Sequence, residues 1–125
     1  MADRVTYLEA DLLRDELPSG FDLILECDVG LYGEALFAKA RASLNPGGRL
    51  VVVDHFVEDA DVAPPSCLFW AFAGALGNPD MVYTTTGEIR ARLARAGFEV
   101  LSETTLLAGE VWRWSADWVV IEARG

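Results

Sequence analysis

Two short apolar runs separated by an amphipathic stretch set the limits on how this chain folds. Phe21-Asp22-Leu23-Ile24-Leu25-Glu26-Cys27 is nearly continuously apolar, and Arg49-Leu50-Val51-Val52-Val53-Asp54 is the most strongly β-biased run in the sequence. Such runs suit parallel strands covered on both faces. Between them Leu36, Phe37, Ala40 and Leu44 recur at helical spacing, with Glu34, Lys39 and Arg41 interleaved, which predicts an amphipathic helix. Asn45-Pro46-Gly47-Gly48 stops it. Strand, helix and strand at this spacing make a right-handed crossover unit, so the expected class is α/β with parallel strands.

The flanking sequence extends this pattern. Val5 to Leu8, ended by Glu9-Ala10-Asp11, reads as a short strand, and Leu12 to Leu17 makes a helical turn before Pro18-Ser19-Gly20 breaks it. Thr85 and Glu88 form a capping box for a helix that carries Ile89, Leu93 and Ala96 inward and Arg90, Arg92 and Arg95 outward, closed by Gly97. Phe98 to Leu107 and Trp114 to Ala123 alternate as strands do, joined through Ala108-Gly109-Glu110, and predict an antiparallel pair at the end of the sheet. Between Val57 and Thr84 lie an acidic start, a Pro64-Pro65 break and an apolar cluster from Cys67 to Leu76 that predicts a helix.

At 125 residues the chain is expected to form a single domain, residues 1–125, without an internal repeat or linker. No apolar run approaches the roughly 20 residues that span a bilayer. The net charge is −10 and the ten cations, with Lys39 the single lysine, are scattered, so no basic stripe exists to neutralise phosphates. Nucleic acid and anionic membranes are therefore poor partners. Met1 to Arg4 lacks the basic start and apolar run of a secretory signal, and a cytoplasmic location is expected. Cys27 and Cys67, in separate apolar stretches, are expected to be buried reduced thiols. With one histidine, His55, and no cysteine pair, no zinc site of known spacing is present, and no metal is expected.

Taken in order, these segments resemble class I S-adenosylmethionine-dependent methyltransferases, most closely the small-molecule O-methyltransferase branch. Asp11 ends the first run where that family places an acid near the adenine. Phe21-Asp22-Leu23-Ile24-Leu25 resembles its fourth strand, and Leu44-Asn45-Pro46-Gly47-Gly48-Arg49-Leu50 resembles the turn into its fifth. Thr86-Gly87-Glu88-Ile89 through Leu93, with Ala96-Gly97-Phe98, resembles its last helix and the corner into the final hairpin. Each motif is weak alone; their joint order carries the likeness, which covers nearly the whole chain. The fold it implies is a partial Rossmann-like methyltransferase sheet, parallel strands followed by a C-terminal antiparallel hairpin.

The resemblance also implies site residues. Asp11 and Leu12 would contact the adenine, Asp11 otherwise capping the turn after it. Cys27 and Asp28, at the carboxyl end of the second run, would face cofactor or methyl acceptor, although Asp28 suits a solvated loop equally. Phe69, Trp70, Phe72, Met81 and Tyr83 fall in the region resembling the family's acceptor-binding insert, where aromatic walls suit a flat substrate; as core residues they need no such role. Trp112, Trp114 and Trp118 are expected to serve packing or an interface.

Two departures from the family stand out. The glycine-rich turn between its first strand and first helix, and the acid on its second strand, are absent: Gly47 and Gly48 follow a helix rather than precede one. Leu31 stands where a catalytic histidine would be, and His55, just past the fifth strand, is either a general base or an ordinary hydrogen-bonded strand-end residue. The resemblance thus implies an S-adenosylmethionine-dependent O- or N-methyltransferase of a small aromatic metabolite, truncated and inactive as an isolated chain. The alternative is a non-catalytic remnant that associates with itself or a partner. Without the missing strands Asp22 to Cys27 is an apolar edge, expected to pair with Val5 to Leu8, with a second copy in a homodimer, or with a missing N-terminal half.

Overall fold

A computed structural model of the chain describes residues 4–57, 84–106 and 118–125, together with Phe72, Leu76 and Gly77. Its elements run β1 (Phe21–Cys27), α1 (Glu34–Ser43), β2 (Leu44–Asp54), α2 (Thr86–Arg95), β3 (Glu99–Leu106) and β4 (Trp118–Arg124). β1 and β2 are parallel, and β4 lies antiparallel between β2 and β3, giving the sheet order β1-β2-β4-β3. The α/β class, the crossover unit and the closing hairpin are as expected. No helix among the described residues is long and apolar enough to cross a membrane.

Pleat alternation decides what the sheet buries. Leu50 and Val52 of β2 point to one face, together with their register partners Ile24 and Glu26 on β1 and Ala123 and Ile121 on β4. Phe37 and Ala40 of α1 and Ile89 and Leu93 of α2 join the same buried cluster, so both helices lie on that face. Each fully buried valine, leucine, isoleucine or phenylalanine there is worth roughly 1.5–3 kcal/mol. The exposed pair Arg95–Glu34, at 2.6 Å between the helices, contributes about 1 kcal/mol at most, so apolar burial decides their placement.

The opposite face is bare among the described residues. Leu23 and Leu25 are 57% and 61% exposed, and Cys27 is exposed beside them. The expectation that Asp22 to Cys27 is buried on both faces is corrected: among the described residues one face is covered, and β1 is an edge strand. Cys27 is accordingly not a buried thiol. Val5 to Leu8 forms no strand and does not pair with β1; Val5, Tyr7 and Leu8 are exposed. A run that short gains too little from two-stranded pairing alone to be held extended. The other edge is defended: β3 carries Glu99 and Glu103 and a bulge between Val100 and Ser102, features that discourage pairing. β1 has no comparable protection.

Local chemistry sets the element ends. β2 pairs from Leu44 rather than from Arg49, and its register against β1 shifts between Phe21 and Leu23, so Asn45 to Gly48 bulge out of the ladder. Asn45 pins this bulge by donating to Gly20 O at 3.2 Å and Asp22 Oδ1 at 2.8 Å. Gly47 takes φ of 77°, and a Cβ on Gly48 would sit 2.9 Å from Asn45 O and 3.1 Å from Phe21 O, both backbone atoms that cannot swing away. The capping box of α2 is complete: Glu88 N donates to Thr85 Oγ1 and Thr85 N to Glu88 Oε2, each at 3.1 Å. Gly97 ends that helix with φ of 87°. We expect Gly48→Ala to lower stability by about 1–3 kcal/mol and Thr85→Ala by about 1 kcal/mol, read as shifts in urea midpoint; an unchanged midpoint for Gly48→Ala would mean the bulge relaxes freely.

Candidate functional site

β1 and β2 are parallel, so their carboxyl ends lie side by side, the edge at which open α/β sheets hold ligands. Asp28 leaves β1 with a left-handed φ of 54° and donates its N–H to Val53 O at 2.9 Å, tying the loop to the end of β2. Aspartate is among the few residues besides glycine that tolerate this conformation. The loop then reaches Tyr32, whose hydroxyl donates to Asp54 Oδ2 and receives the Gly30 N–H at 3.4 Å. Its ring lies 6.4 Å from Phe37 and 5.7 Å from Phe56, and its carbonyl accepts from Arg92 Nη1 at 3.0 Å. One residue, through its side chain and its carbonyl, thus joins the loop after β1, the end of β2 and both helices. Burial, then the hydrogen bond to Asp54 and its charge, push the Tyr32 hydroxyl well above its usual range, so it stays a donor.

Glu26, the last buried residue of β1, is the anomaly of this edge. It is 7% exposed on the helical face, and its Oε2 has no hydrogen-bond partner among the described residues. Burial pushes its carboxyl from the ordinary 4.5 up to about 7. An unpaired buried carboxyl oxygen is costly, and such exceptions in folded proteins call for a reason.

The structure brings Asp28 and His55 to this edge. His55 N donates to Asp54 Oδ1 at 2.6 Å, and its imidazole lies against Trp118, ring centres 3.9 Å apart. Following Asp54 in the pleat, His55 points to the face opposite Glu26. Trp118 is half-buried and packs, as expected of it. Asp28 is exposed. Asp11 and Leu12 lie elsewhere, in an exposed turn held to α1 by Lys39, whose Nζ donates to Leu12 O at 3.3 Å and Asp15 O at 2.8 Å. Asp11 caps that turn: Oδ1 accepts Leu13 N–H at 2.9 Å and Oδ2 is 3.5 Å from Arg14 Nε. Phe69, Trp70, Met81 and Tyr83, with Cys67, Trp112 and Trp114, lie outside the described residues. Phe72 and Leu76 are helical and exposed. No group of three potential metal ligands occurs among the described residues.

Sequence reasoning missed Glu26, Tyr32 and Asp54. Glu26 left one signal, a carboxylate inside an otherwise apolar run. Tyr32 left none, because its role depends on a bond to a residue in another strand.

No protein-family model and no curated protein matches this sequence. The fold does match solved structures. An O-methyltransferase family protein from Burkholderia thailandensis aligns with a TM-score of 0.76 at 18% identity over 98% of this chain and 36% of its own. Human N-acetylserotonin methyltransferase, solved with S-adenosylmethionine, aligns at 0.73 and 20% identity over 98% of this chain and 34% of its own. An O-methyltransferase family 2 protein from Planctomyces limnophilus, in complex with apigenin, aligns at 0.71 and 21% identity over 93% and 34%. The chain spans about a third of the length of these structures and has the fold of their carboxyl-terminal portion.

The raised Glu26 carboxyl makes stability depend on pH. Below about pH 4.5 Glu26 is protonated in folded and unfolded chains alike. Between about 4.5 and 7 the folded chain retains a proton that the unfolded chain has lost, so stability falls as pH rises. Above about pH 7 the full penalty applies, on the order of 3 kcal/mol. Glu88 shifts the other way, lowered by the Thr84 hydroxyl and then the Thr85 N–H, and is unaffected by change at Glu26. We expect Glu26→Gln to remove this slope: the difference in unfolding free energy between variant and parent should grow from pH 4.5 to 7, and parallel pH profiles would contradict it.

Proposed function

We propose that this chain is the acceptor-side, carboxyl-terminal part of an S-adenosylmethionine-dependent O-methyltransferase acting on a small aromatic hydroxyl compound. The observation that carries the reading is the one-sided sheet: β1 is an open apolar edge and its outer face is bare among the described residues. A right-handed crossover from β1 through α1 to β2 uses the helical face. Parallel strands added beyond β1 and progressing in the opposite direction would put their helices on the bare face, by the same handedness. The reversal of strand order would then fall at β1, and ligands in such sheets bind at that switch point, outside the carboxyl ends of the strands. Asp28 and His55, at the carboxyl ends of β1 and β2, support this reading. The neighbours solved with S-adenosylmethionine and with apigenin support the same classes of cofactor and acceptor.

The described residues do not by themselves fit the cofactor. Asp11 is engaged in its own turn, and Gly47 and Gly48 form a bulge at the amino end of β2, the wrong end of the sheet for a methionine-binding loop. Cofactor binding therefore requires the remaining strands and helices, whether continuous with these residues or supplied by another polypeptide. S-adenosylhomocysteine titrated calorimetrically into these 125 residues should give no micromolar binding, and a glycine-rich strand-turn-helix partner should restore it. Micromolar binding by these residues alone would contradict the reading.

The same exposed edge favours one alternative, a non-catalytic module that self-associates. Since Asp28 N–H points to β2, the alternate amides of Leu23, Leu25 and Cys27 point away from it. A homodimer through β1 would protect these amides from hydrogen exchange in a concentration-dependent way. A monomer by light scattering with those amides in fast exchange leaves the association reading without support.

A further inference from the structure

We draw no further inference here: the strongest candidate, the apolar sheet face that carries Leu23, Leu25 and Cys27 beside the open edge of β1, belongs to the reading already proposed, and nothing among the described residues shows what covers it.

Discussion

The strand Leu44–Asp54 is the constraint on which the rest of the molecule depends. It is flanked on both sides, by parallel β1 and antiparallel β4, and its alternate residues Leu50 and Val52 form the floor on which both helices rest. Its last residue, Asp54, holds Tyr32 and thereby the loop after β1. Structure and candidate site are continuous here: the pleat that buries Leu50 and Val52 also aims Asp54 at Tyr32.

The consequence is a sheet that, among the described residues, is covered on one face only. α1 and α2 cover one face because right-handed crossover geometry gives them no other. β3 ends the sheet as natural edges do, with charges and a bulge, whereas β1 ends it with leucines. The two edges of the sheet are thus built differently, β3 carrying charges and a bulge and β1 carrying exposed leucines.

The polar residues of the carboxyl edge divide into those that hold the fold and one that does not. Tyr32 donates to Asp54 and its carbonyl accepts from Arg92, while Thr84 and Thr85 bond Glu88. Among the described residues no donor meets Glu26 Oε2, and burial pushes its carboxyl up.

Periodicity and cap chemistry determined most of the elements directly from the sequence. The limits of β1, the inward residues of α1, the Thr85–Glu88 box and the Gly97 stop are local in origin, so nearby residues specify them. The short Val5 to Leu8 run misled because an alternating pattern becomes a strand only when a partner accepts its hydrogen bonds. What the tertiary structure alone decided was which faces are covered and which polar groups meet: an apolar strand reads the same whether or not a layer lies against it, and Leu23 and Leu25 carry no mark of their exposure. Asp11 has the composition of a ligand contact and the geometry of a turn cap. Tyr32 and Asp54 lie 22 residues apart and meet only because β1 and β2 pair in parallel, so no spacing rule could assemble them.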